Sequence, residues 1–301
     1  MTMPYYVPTE QLIKDRADYA RRNIARGRPV VVLGYDGGVA FVAENPSRSL
    51  HKVSEIYDRI GFAAVGKYNE FENLRVAGIR YADLRGYSND RADVTARGLA
   101  NAYAQTLGAV FTTDSKPLEV EIVVAEVGQT PDDDQIYRLT YDGSVSDQRG
   151  FVAMGGQAEQ ITTGLTERWR EGLTLSEALS LAIELLSGAV EPNAPARTLT
   201  PSQVEVAVLD RLRPRRAFRR LAGQLLERLL QPDDPTTDVP HTDERRPGLH
   251  DTLTGDDVTS DTAGSTPGAV GSTPAESEPA PAPDPAPEPG DESGGTPVAE
   301  G

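Results

Sequence analysis

Hairpin-linked strands followed by pairs of helices recur along this chain, and that order constrains its fold more than any single motif does. Thr9 is placed to cap a helix running to about Arg26, with Leu12, Ile13, Ala17, Ala20 and Ile24 on one side and Gly27 ending it. Two short apolar runs, Val30–Tyr35 and Val39–Ala43, then flank Asp36-Gly37-Gly38, a strong hairpin signal. Strands are expected again near Val53–Asp58 and Gly61–Val65. Two long helices follow over about Glu70–Tyr87 and Asp93–Phe111, the second with an apolar stripe of Leu99, Tyr103, Leu107 and Val110. The centre returns to strands at Leu118–Val127, Gln135–Tyr141 and Gly150–Met154, with a turn at Asp142-Gly143. In the next helix pair, Ile161, Leu165 and Trp169 repeat at four-residue spacing. The second of the pair opens on the capping box Thr174…Glu177 and ends at Gly188. A lone strand, Val204–Leu209, precedes a last helix with Phe218, Leu221, Leu225, Leu226, Leu229 and Leu230 on one face. Parallel α/β chains alternate strand and helix singly. The expectation here is α+β: two antiparallel sheets packed together, with helices on both outer faces.

The net charge of −16 belongs almost wholly to the end of the chain. Beyond Gln231 lie sixteen acidic residues and only Arg245 and Arg246 on the basic side, which leaves the first 231 residues close to neutral. The stretch TPGAVGSTPAESEPAPAPDPAPEPGDESGG holds almost no aromatic or branched aliphatic side chains, so it cannot bury enough apolar area to offset its conformational entropy. Residues 232–301 are therefore expected to be a disordered acidic tail.

Composition also removes whole chemistries. With no cysteine there are no disulfides, thiolate metal sites or cysteine nucleophiles. His51, His241 and His250 are the only imidazoles, so neither a histidine-dependent triad nor a zinc site is expected, and no cofactor is called for. MTMPYYVPTEQ lacks the features of a signal peptide, and no apolar run approaches the roughly 20 residues of a membrane span. The protein is expected to be soluble and cytoplasmic. Arg211, Arg213, Arg215, Arg216, Arg219 and Arg220 form a basic run of the kind that contacts nucleic acid. In a near-neutral body, at the start of an amphipathic helix, pairing with carboxylates of its own domain is the better reading. Gly155-Gly156 lacks the rest of a phosphate loop and reads as a tight turn into a helix.

GYDGGVAFVAENPSRSLHKVSEIYDRIGFAAVGKYNEFENLR, RGLANAYAQTLG, YRLTYDGS, FVAMGG and DRLRPRRAFRRL, in this order and spacing, resemble the α-type subunits of the 20S proteasome, most closely those of actinobacteria. The resemblance covers residues 4–231. It implies the four-layer αββα sandwich of N-terminal-nucleophile hydrolases, with a gate peptide at 1–8, a body at 9–231 and the tail at 232–301. In the catalytic β-type relatives the first strand begins with a threonine freed by self-cleavage, whose own amine activates its hydroxyl. By the spacing of GGVAFVAE that position falls near Arg28-Pro29, and no Ser, Thr or Cys occurs between Thr9 and Ser47. Glu44 and Lys52 match the acidic residue and lysine that assist the threonine. The supporting residues are present without the nucleophile, so no catalytic residue is expected; a self-contained amidohydrolase on the same fold is the alternative.

The same resemblance gives Lys52 a different task. In α-type subunits this lysine lies between neighbouring subunits and pairs with the terminal carboxylate of an activator's tail, for which a compact ammonium on a flexible stem is suited. Gly66 and Gly27 fall where backbone approaches that tail, and Asp18 is a further candidate. The leading segment Thr2, Met3, Pro4, Tyr5, Tyr6, Val7 and Pro8 corresponds to the peptide that covers the axial pore, with Pro8 fixing a reversal. Tyr19 matches a tyrosine that follows the gate. The chain lacks the Tyr-Asp-Arg triplet of archaeal and eukaryotic gates. Partners implied by the resemblance are β-type subunits, neighbouring α subunits in a heptameric ring, a hexameric ring ATPase, and protein substrates tagged with the ubiquitin-like modifier Pup; neither nucleic acid nor membrane is among them.

Overall fold

Asp36 and Gly37 turn the chain between β1 (Val30–Tyr35) and β2 (Gly38–Glu44), whose antiparallel register runs from Val30↔Ala43 to Tyr35↔Gly38. The computed structural model describes residues 9–188 and 199–231. Its first sheet continues through β8 (Phe151–Met154), β9 (Val204–Asp210) and β10 (Phe218–Leu221), in the order β10-β9-β2-β1-β8. The second sheet holds β3 (Val53–Tyr57), β4 (Ile60–Gly66), β5 (Val120–Glu126), β6 (Gln135–Leu139) and β7 (Val145–Asp147), in chain order. Every pairing is antiparallel.

The strands read as continuous apolar runs because both of their faces are buried. Val30 and Val32 of β1, Phe41 of β2, Ala63 and Val65 of β4 and Val123 of β5 meet between the sheets. Their neighbours Val31, Leu33, Ala40 and Val42 point outward to α4 (Ala158–Arg168), α5 (Leu175–Gly188) and α6 (Gln224–Leu229). On the other side Ile60, Phe62, Ile122 and Val124 pack under α2 (Tyr68–Ser88) and α3 (Ala96–Thr113). The result is the expected αββα sandwich.

The helix α1 (Thr9–Ile24) belongs to neither outer layer. It places Ala20 and Ile24 in the core between the sheets, a burial that contributes roughly 1.5–3 kcal/mol for the isoleucine alone. Since only residues 25–29 separate it from β1, α1 lies at the end of the sandwich where β1 begins. Arg16 fixes it there by donating to the carbonyl oxygens of Phe111 (2.6 Å) and Asp114 at the C-terminus of α3, where unpaired carbonyls favour a cation.

Several expectations need correction. Phe218 and Leu221 lie in β10, paired with Leu209 and Val206, so the last helix shortens to α6. The arginine run consequently sits on the β9–β10 hairpin. The predicted helix ending in Trp169 stops at Arg168; Trp169 is extended, stacks near Phe151 and donates its indole N–H to the Gly34 carbonyl (3.0 Å). The short, exposed strand β7 has no apolar pattern and was not expected. The Thr174–Glu177 capping box forms, with Glu177 accepting from the Thr174 backbone N–H at 2.8 Å. The gate peptide expected at 1–8 and the tail expected at 232–301 lie outside the described residues.

Candidate functional site

At the start of β1 the chain presents Arg28 and Pro29, neither of which offers a hydroxyl or thiol. The Pro29 carbonyl accepts from the Glu44 backbone N–H (3.2 Å), and the Arg28 guanidinium lies 3.5 Å from the Glu44 carboxylate. Lys52, immediately before β3, reaches the same point and donates from Nζ to the Arg28 carbonyl at 2.6 Å. Thus the three positions that the resemblance associates, 28, 44 and 52, do converge. Burial pushes the Lys52 ammonium down to about 8, with nearby Glu44 and Glu205 opposing the shift and Arg28 adding to it. An ammonium has three donors. One is directed at the Arg28 carbonyl, and the half-buried ammonium lies in the field of the Glu44 and Glu205 carboxylates.

Two glycines build the floor beside it. A Cβ on Gly27 would lie 2.5 Å from Val65 Cγ1 and 3.5 Å from the Gly66 nitrogen, so the two glycine backbones are packed side by side. Gly66 has φ +117° and its Cβ would meet the Glu119 carbonyl at 1.9 Å, which leaves glycine as the only unstrained residue. The Gly155-Gly156 turn completes the wall, donating from the Gly156 N–H to the Gly27 carbonyl (2.8 Å). The glycines thus let the segments at 27, 66 and 155–156 pack backbone to backbone beside Arg28, whose carbonyl holds Lys52.

Tyr19 extends from α1 toward the same wall. Its hydroxyl donates to Glu119 (3.3 Å), whose carbonyl in turn accepts the Lys67 backbone N–H at 3.0 Å. Glu119 also pairs with Lys116, which bridges to Glu70 at 3.0 Å. Asp18 is engaged elsewhere, 3.5 Å from Arg21 on the exposed face of α1, and no hydrogen bond or ion pair joins it to Lys52. The leading residues Thr2 to Pro8 lie outside the described residues.

Sequence reasoning missed the parts of the site that come from distant strands. Glu205 of β9 accepts the backbone N–H of Lys52 (2.9 Å), and Arg16 clamps α1. Three of the six clustered arginines pair with carboxylates of the same domain, Arg211 with Asp134 (2.8 Å), Arg216 with Glu55 (2.7 Å) and Arg220 with Glu205 (2.6 Å), and Arg213 donates to the Phe218 carbonyl (3.4 Å). Among the described residues no group of His, Asp or Glu is placed to hold a metal ion, and no helix is long and apolar enough to cross a membrane.

Two five-stranded antiparallel sheets between helical layers, with positions 28, 44 and 52 gathered at the start of the first strand, define a sandwich of the N-terminal-nucleophile hydrolase type. The family model described as Proteasome subunit matches residues 24–209. Proteins named Proteasome subunit alpha are similar to this chain in Sanguibacter keddieii (73% identical over 230 residues, 76% of this chain and 90% of that one) and Xylanimonas cellulosilytica (72% over 231 residues, 75% and 95%). The one from Kineococcus radiotolerans is 68% identical over 233 residues, 76% of this chain and 98% of that one. The chain belongs to the proteasome subunit family and falls with its actinobacterial α subunits.

Proposed function

We propose that this chain is the non-catalytic, gating α subunit of a cytoplasmic 20S core particle. It forms heptameric outer rings on β-type catalytic rings, occludes the pore with residues 1–8 and docks the C-terminal tails of a hexameric ring ATPase in the pocket of Lys52, Gly66 and Gly27. Tyr19 belongs to the base of the gate, and Asp18 is a peripheral member of the docking site. The proteins admitted are Pup-tagged substrates, degraded by the threonine-type chemistry of the β-type partner. One observation carries the reading: where a nucleophile would stand, the chain has Arg28-Pro29, and the lysine that would assist it donates instead to the Arg28 carbonyl.

The test is to compare the purified chain with the particle formed on co-expression with its β-type partner. Peptide hydrolysis is expected only from the particle, which should show sevenfold symmetry. Hydrolysis by the chain alone would establish the amidohydrolase alternative.

Docking should also depend on pH in a direction that Lys52 sets. A carboxylate binds the ammonium form, so affinity is expected to hold below pH 8 and to fall by up to about tenfold per pH unit above it. Unfolding is not the cause, because this group acts in the opposite sense on stability. Its folded value lies below the ordinary 10.5, so the unfolded chain binds more protons and stability from this residue rises between pH 8 and 10.5. Titrating half-maximal activator concentration from pH 6.5 to 9.5 measures the effect; a flat profile would remove the ammonium from docking.

A further inference from the structure

The side chain of Lys52 reaches its station only if the loop that carries it, between β2 and β3, is held still, and a carboxylate on a third strand is placed to hold it. Glu205 in β9 is buried, with 9% of its surface exposed. Its Oε2 accepts the Lys52 backbone N–H (2.9 Å) and the Asn45 side-chain amide (2.8 Å). Its Oε1 takes Arg220 (2.6 Å) and the His51 ring (3.1 Å), with the Val53 N–H at 3.4 Å. Asn45 extends the grip: its amide also donates to the Leu50 carbonyl (2.7 Å), and its carbonyl oxygen accepts the Ser47 N–H (3.0 Å). Ser47 Oγ in turn accepts from the Leu50 N–H at 3.1 Å. A buried carboxylate costs several kcal/mol to desolvate unless its lone pairs are filled. Here they are filled by both ends of one loop, so loop and strand are fixed together.

We infer that Glu205 is a positioning residue for Lys52, holding the residue 45–53 loop so that the ammonium stands beside the Arg28 carbonyl and the Gly27–Gly66 floor. The inference rests on the reading of Lys52 as the receptor of a terminal carboxylate. Glu205 does not touch the docked tail; it acts through the Lys52 backbone. Replacement by glutamine keeps the size but turns one acceptor into a donor that faces Arg220 or the Lys52 N–H, so the grip on the loop loosens.

The experiment uses the assembled particle and, as probe, a synthetic peptide copying the C-terminal tail of the organism's ring ATPase, as free acid and as amide. Wild-type particles should be stimulated by the acid at lower concentration than by the amide. In Glu205→Gln the concentration for half-maximal stimulation by the acid should rise about tenfold and approach that of the amide. A merely structural role would lower melting temperature without erasing the acid–amide preference. Should Glu205→Gln not assemble, Asn45→Ala loosens the same loop from its other anchor and must give the same shift. Wild-type affinity and preference in whichever variant assembles would overturn the inference. The two readings fail differently: Lys52→Ala retaining the acid preference sinks docking itself, whereas its loss there with an unaltered Glu205→Gln sinks only the role of Glu205.

Discussion

Replacing Lys52 with alanine is expected to abolish stimulation by the activator while hydrolysis by the resting particle persists. The size of the effect follows from what the ammonium does. Truncating one member of a desolvated charge pair at an interface costs about 2–5 kcal/mol, a factor of roughly 30 to several thousand in affinity at one site. On the proposed docking of several tails of one ring ATPase, the loss at each site would multiply through avidity. The subunit itself should tolerate the change, because burial already works against the Lys52 charge and the hydrogen bond lost with it leaves the Arg28 carbonyl within reach of water. Lys52→Arg should rescue poorly: a planar fork requires more room than an ammonium tucked between Arg28 and the glycine floor. Activator-stimulated and unstimulated peptide hydrolysis, measured on the same preparations, decide the matter. Full stimulation of the alanine variant would remove Lys52 from the docking site.

Much of this architecture was legible in the sequence, and the failures share a cause. The β1–β2 hairpin, the two helix pairs and the Thr174–Glu177 box are local features whose signals lie within a few residues of one another. Phe218 to Leu221 was misread because its strand character comes from pairing with β9, while its apolar spacing joins smoothly to the helix that follows. Trp169 kept the helical spacing of Ile161 and Leu165, yet its indole is drawn off by the Gly34 carbonyl, a partner 135 positions away. The site divides in the same manner. Lys52, Gly27 and Gly66 were named through the resemblance; in the structure Lys52 reaches the Arg28 carbonyl and Gly27 packs beside Gly66. The residues that hold them, Glu205 across 153 positions and Arg16 across 95, carry no local mark, since an isolated Glu in an apolar strand or an Arg on an exposed helix has many ordinary uses.

Removing residues 1–7 should accelerate peptide hydrolysis by the assembled particle without activator. The stretch ends at Pro8, and α1 from Thr9 onward is held independently of it by Arg16 on the end of α3, by Tyr19 on Glu119 and by Ala20 and Ile24 in the core. Deletion is therefore expected to leave α1 seated on its own domain. Seven residues reach at most about 24 Å when extended, which sets the upper limit on the pore radius that such segments could cover. The gain measures the closed population: if the pore is open about one tenth of the time, closure is favoured by about 1.4 kcal/mol and its removal gives about a tenfold faster rate. Combining the deletion with Lys52→Ala sharpens the test, since a gate that docking opens becomes irrelevant once the gate is gone. The double variant is expected to match the fast rate of the deletion and to ignore the activator. An unchanged rate in the single deletion would mean that these residues do not obstruct entry, whereas a fast deletion slowed again by Lys52→Ala would mean that Lys52 acts on hydrolysis by a route other than the gate.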